Sequence, residues 1–141
     1  MKKTIMLIGA FDTKGEEYAF VKRLIEERGH AVKAMHIGVM GPARHIVPDW
    51  DADEVARAAG VALEELRERK DRGYAMTVMS VGASELVRRL YDEGAFDGVF
   101  GMGGTGGTSV ISAAMRALPI GVPKVLVSTA ASGDTRAIVG K

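Results

Sequence analysis

The chain contains no cysteine, which excludes a disulfide framework, a thiol nucleophile and a cysteine-based zinc site. It has almost no excess of charge. Nineteen Lys and Arg against 18 Asp and Glu leave +1 at neutral pH, too little for the electrostatic footprint of a partner to nucleic acid or an anionic membrane. Long apolar runs are absent as well. The first one follows Lys2 and Lys3 and stops at Gly9, without the apolar length of about 7–15 residues and the small-residue cleavage site of a signal peptide. Nothing approaches the roughly 20 apolar residues of a bilayer span. A cytoplasmic location is the expectation. Internal repeats and low-complexity linkers are also missing.

What is present suits one globular domain. At 141 residues, 47% hydrophobic and 26% charged, the chain is long enough for a core with helices on both faces of a small sheet. Its eight methionines are scattered through apolar segments and suit flexible core filling better than a cofactor box.

Residues 4–8 form a continuous, β-branched apolar run, as expected of a parallel strand buried on both faces. A helix is predicted from Gly15 to Arg28, with acids in its first turn and Gly29 at its end. A second strand follows over 31–39, closed by Gly41 and Pro42. After a polar stretch come two short helices, 53–59 (with Asp51 or Asp53 as N-cap) and 63–72, then a longer one over 74–93, stopped by Gly94. A third strand is predicted at 96–100, a glycine-rich turn at 101–108, a helix at 110–118 and a fourth strand at 124–128. This alternation predicts an α/β fold, an open, mainly parallel Rossmann-like sheet. The apolar residues Ala137, Ile138 and Val139 lie just before the last residue, Lys141. They suggest that residues 1–141 are the N-terminal lobe of a longer, two-lobe protein, with an exposed apolar surface that favours self-association.

In open parallel sheets ligands bind beyond the strand C-termini, where the strand order reverses. If the order is 2-1-3-4, the reversal lies between strands one and three, flanked by residues 10–15 and 101–108, with 128–134 beside them. Five of the seven residues from Gly101 to Gly107 are glycine, more than a tight turn needs. Gly101, Gly103 and Gly106 satisfy G-x-G-x-x-G between a strand and a helix, where bare backbone N–H groups approach phosphate oxygens. Gly104, Thr105, Gly107 and Thr108 complete the candidate cradle. The Walker pattern is incomplete, since Gly107 stands where its lysine belongs. The acid that a dinucleotide site places roughly 20 residues on is also missing, because residues 125–127 are apolar. Asp12, Thr13 and Lys14 supply a carboxylate, a hydroxyl and an ammonium at the same mouth, with Lys14 suited to phosphate and Asp12 to orienting it or to magnesium through water. The plain alternative is a helix cap followed by a solvated lysine. Ser128, Thr129, Ser132, Gly133 and Asp134 form either a third polar wall or ordinary turn chemistry. His36, His45 and Asp49 lack the spacing of a metal cluster.

Together these loops resemble the Tm-one-like ATP-binding family, which includes a plant tobamovirus-resistance protein. Residues 9–15, 38–41, 48–49, 101–108 and 128–134 carry the resemblance, which spans essentially the whole chain. It implies an ATP-binding Rossmann-like lobe, possession of a second lobe, and association as a homodimer. It also implies that ATP, with magnesium, lies against Asp12, Thr13, Lys14, residues 103–108 and residues 128–134. Ala10, His36 and Ala130 depart from the family's usual Thr, acid and Met, so no ribose contact is assigned to strand two. No reaction follows from the resemblance. The rival expectation is a lobe of an enzyme acting on a phosphorylated metabolite or dinucleotide, its catalytic groups elsewhere. In a third, nucleotide only sets the conformation of an interaction domain.

Overall fold

The computed structural model describes residues 1–128. Within them the order is β1 (Thr4–Gly9), α1 (Gly15–Glu27), β2 (Ala31–His36), α2 (Ala52–Ala58), α3 (Leu63–Arg69), α4 (Arg72–Asp92), β3 (Gly98–Gly103), α5 (Thr105–Arg116) and β4 (Lys124–Ser128). Every strand pairing is parallel, as the sequence predicts, and the order is β2-β1-β3-β4, the one under which residues 10–15 and 101–108 flank the same point of reversal. The apolar run at 137–139 lies outside the described residues.

Local chemistry fixes the helix ends. Asp51 caps α2 in a capping box, its own N–H donating to Glu54 Oε1 at 3.0 Å. Asp71 accepts from the Tyr74 N–H at the start of α4. Gly29, Gly60 and Gly94 follow the ends of α1, α2 and α4 with φ of 80–88°, the left-handed stop that favours glycine.

Strand alternation then divides the core. Met6, Ile8, Met35 and Val99 join residues of α2, α3, α4 and α5 in one buried cluster. Leu7 and Ala34 join Tyr18 of α1 in another, with Val21 and Ile25 packed beside them. Helices therefore cover both faces, α1 on one and the remaining four on the other.

Several boundaries differ from expectation: α5 begins at Thr105 rather than at residue 110, and α3 ends at Arg69 rather than at residue 72. β2 stops at His36 rather than at residue 39, because the His36 ring collects the Gly38 N–H and turns the chain. α4 begins two residues early, where Asp71 caps it. β3 runs to Gly103, well into the glycine-rich stretch, because its pairing with β4 continues through Met102↔Val127 and Gly103↔Ser128.

The sheet's two edges are treated differently. Beside β2, the Asp49 and Trp50 N–H groups donate to the Ala34 carbonyl, and the Ala34 N–H donates to Asp49 Oδ2 at 2.8 Å. At the other end Val125 and Val127 of β4 remain about half exposed, at 53% and 54%.

Candidate functional site

The connection from β1 to β2 passes through α1 on one face, and that from β3 to β4 through α5 on the other. The order therefore reverses between β1 and β3, and their C-terminal ends are where an open parallel sheet places its ligand crevice.

On the β3 side, the glycine-rich stretch is not a loop. Gly101, Met102 and Gly103 are strand, Gly104 is the N-cap, and Thr105, Gly106, Gly107 and Thr108 form the first turn of α5. Packing explains Gly101, where a Cβ would stand 2.4 Å from Ile111 Cγ2. It does not explain Gly104, Gly106 or Gly107, where a Cβ would meet nothing within 4 Å. None of these three has a positive φ. Neither sterics nor conformation requires glycine there, and the consequence is a bare backbone at a helix start.

That start is also electrostatically open. Thr108 is the first residue of this turn to donate back, to the Gly104 carbonyl at 2.9 Å, and the preceding N–H groups have no acceptor within the helix. No side chain caps α5 and no acid lies in its first turn. Each of the other four described helices has a capping Asp or first-turn acids. The positive end of the α5 dipole is therefore uncompensated by its own sequence.

The hydroxyls divide into exposed and structural. Thr105 is exposed. Thr108 is fully buried, donates to the Gly103 carbonyl at 3.2 Å and is hydrogen-bonded to the Ser128 hydroxyl. Ser128 is thus tied to the start of α5, bringing the end of β4 to the cradle. Thr129, Ser132, Gly133 and Asp134 lie outside the described residues.

On the β1 side, Thr13 and Lys14 donate their N–H groups to the Ala10 carbonyl at 3.2 and 2.8 Å. Lys14 occupies the N-cap position of α1, half-buried, and takes part in none of the ion pairs among the described residues. Asp12 reaches towards the segment after β2. Its Oδ2 accepts from the Met40 and Gly41 N–H groups at 3.1 and 3.2 Å, while Oδ1 is buried with no partner. Gly38 makes the room, since a Cβ there would lie 2.2 Å from Oδ1. Gly15 similarly admits the Arg44 carbonyl, 1.8 Å from where its Cβ would be.

His36 completes this brace. It is fully buried and stacked on Phe11. Its Nδ1 accepts from the Phe11 and Gly38 N–H groups at 3.0 and 3.3 Å, which leaves the ring proton on Nε2 facing the Gly41 carbonyl at 3.1 Å. With both nitrogens committed to backbone, His36 holds loops together and has no group left for a ribose. His45 is exposed, and Asp49 is bound to β2. No cluster of three metal-ligating side chains occurs among the described residues.

Sequence reasoning missed Tyr18, which is fully buried at the base of the crevice and hydrogen-bonded to Ile8 and Met102. The available signal was Gly9, a glycine ending a buried strand six residues before an aromatic-bearing helix. A groove of about 790 Å³ runs along α1 between Glu16, Phe20, Arg23, His45 and Met102, adjoining the cradle at Met102.

No described helix is long and apolar enough to cross a membrane. Among curated proteins, a UPF0261 protein of Clostridium tetani is 49% identical over 141 residues, all of this chain and 35% of that protein. Another, from Mesorhizobium japonicum, is 38% identical over 133 residues, covering 94% of this chain and 32% of the relative. The chain thus spans about a third of the length of these relatives. The ToMV resistance protein Tm-1(GCR237) of Solanum lycopersicum is 48% identical over 69 residues, 49% of this chain and 9% of that protein, in keeping with the resemblance carried by the loops. Residues 3–141 match the N-terminal domain of the uncharacterised protein family UPF0261, and the chain belongs to that family.

Proposed function

We propose that this domain binds ATP, its phosphates resting on the first turn of α5 at the mouth of the β1–β3 crevice. The observation that carries this reading is the uncapped, acid-free start of α5, bared by three glycines that neither packing nor backbone conformation demands. Thr105 adds an exposed hydroxyl, and Lys14 brings an ammonium from the neighbouring strand's loop. The α1 groove offers adjoining apolar surface at Phe20 and Met102.

Magnesium bound with a nucleotide takes most of its ligands from phosphate and water and needs only one or two carboxylates. Asp12 is the only carboxylate among the described residues of the three loops. Its Oδ1 has no hydrogen-bond partner but is buried against Gly38, so it would have to turn towards the crevice to hold such an ion, which would neutralise phosphate charge. The homodimer and the second lobe belong to the same proposal, and no reaction is assigned to these residues.

A thermal-shift panel of ATP, ADP, NAD and sugar phosphates tests the ligand class, on this chain and on the full-length protein. ATP at 100 times its dissociation constant should add about 2.7 kcal/mol to stability. A shift with another phosphate ligand, and none with millimolar ATP, would move the assignment to an enzyme lobe for a phosphorylated metabolite or dinucleotide. Lys14→Met tests the charge contributed by the first loop. It keeps most of the side-chain length, and a charged hydrogen bond is worth about 1.5–3 kcal/mol. Titration calorimetry should show ATP affinity reduced roughly ten- to hundredfold. An unchanged affinity would leave Lys14 as a solvated lysine.

A further inference from the structure

The pairing of β1 with β3 begins at Ile5↔Gly98 and ends at Ile8↔Gly101. Beyond that rung the two strands follow other partners, Gly9 pairing with His36 of β2 and Met102 with Val127 of β4. Where they part, the Tyr18 hydroxyl lies between them. The Met102 N–H donates to Oη at 2.7 Å, and Oη lies 2.5 Å from the Ile8 carbonyl and 2.9 Å from that of Met102. In an unbroken ladder, an N–H on one strand meets a carbonyl of its neighbour directly. Here a hydroxyl is interposed, accepting from Met102 and donating its single proton to one of the two carbonyls at a time.

The surroundings hold this wedge rigidly. Gly9 gives it room, since a Cβ there would stand 2.2 Å from Tyr18 Cζ. The ring meets Phe11 edge-on at 5.0 Å and Phe100 at 6.4 Å, and none of it is exposed. Burial also pushes the phenol's ionisation upward, so the hydroxyl keeps its proton.

We infer that Tyr18 is a positioning residue of the crevice, its hydroxyl holding the ends of β1 and β3 one oxygen apart and so setting where Gly103 and Gly104 present the cradle. This inference rests on the ATP reading above. The chain runs from Met102 through Gly103 to the N-cap of α5 in two residues, so a displacement of Met102 passes directly to the first-turn N–H groups. Without the hydroxyl, Met102 and Ile8 either close on each other, which displaces the cradle, or stay apart with the Met102 N–H unpaired, which leaves the cradle loosely held.

The test is Tyr18→Phe in the full chain, which removes one oxygen and keeps the ring packing. ATP affinity is measured by calorimetry, and exchange of the Met102 amide by NMR. Leu90→Ala, buried on α4, serves as a control that lowers stability without touching the crevice. Tyr18→Phe should bind ATP about tenfold more weakly, the loss of one hydrogen bond's worth of positioning, with faster exchange at Met102. Leu90→Ala should bind as the wild type does. Equal ATP affinity in Tyr18→Phe and wild type, or an unaltered Met102 amide, would overturn the role of Tyr18 alone. Failure of the wild-type chain and of the full-length protein to bind ATP would overturn the site reading and this role together.

Discussion

Replacing Gly82 with alanine is expected to destabilise the domain by about 2–3 kcal/mol, although alanine is the better helix former by about 1 kcal/mol in a helix interior. Gly82 is buried in α4, where a Cβ would stand 1.9 Å from the Val55 carbonyl oxygen and 2.9 Å from its carbon. The obstacle is the backbone of α2, so no rotamer change relieves it. The two helices must separate, and overpacking of this kind costs about 1–3 kcal/mol, occasionally more. Gly73 in the first turn of α4 supplies the comparison, because a Cβ there meets only Asp71 Oδ1, at an ordinary 3.6 Å. Denaturation should show Gly82→Ala melting about 10 °C lower and Gly73→Ala essentially unchanged. Equal behaviour of the two would mean that α2 and α4 do not cross as closely as described. The crossing bears on the site because α4 and α5 belong to the same buried cluster, and α5 carries the cradle at its N-terminus.

The parts of this fold that are legible in the sequence are those written in local periodicity. The apolar run of β1, the glycines after α1 and α4, and the alternation of strands with helices lead to an open parallel sheet, while the 2-1-3-4 order that places its point of reversal comes from the strand pairing itself. The extent of β3 is not legible in this way. Glycines at 101 and 103 look like a turn, and only the continuing pairing with β4 keeps them in a strand. The same limit hides the roles of individual side chains. Asp12 looks like a mouth residue, yet its Oδ2 reaches 28 and 29 residues along the chain to Met40 and Gly41. His36 looks like a lost ribose ligand, and becomes a brace only when the loops after β1 and β2 lie side by side. Nothing in the local pattern singles out Tyr18, whose role exists only where the ends of β1 and β3 surround its hydroxyl. Of the eight hundred or so cubic ångströms along α1, nothing in the sequence gives notice, since the groove is made by the relative placement of elements.

Gly106→Val should separate binding from folding more sharply than any other substitution. Gly106 lies in the first turn of α5 without positive φ, and a Cβ there meets nothing within 4 Å. The fold therefore has no steric or conformational reason to reject valine. Leaving glycine gains a few tenths of a kcal/mol in helix propensity, so the melting temperature should stay level or rise slightly, with an unchanged circular dichroism spectrum. Binding should behave in the opposite way. A branched side chain beside the first-turn N–H groups occupies the space through which phosphate oxygens reach them, and more than one charged hydrogen bond is lost, each worth about 1.5–3 kcal/mol. ATP affinity should fall by more than about a hundredfold. Gly101→Ala is the counterpart, because its Cβ would press on Ile111 at 2.4 Å and should lower stability. Should Gly106→Val bind ATP as tightly as the wild type, the bare glycines at this helix start would be incidental and the phosphate site would have to lie elsewhere.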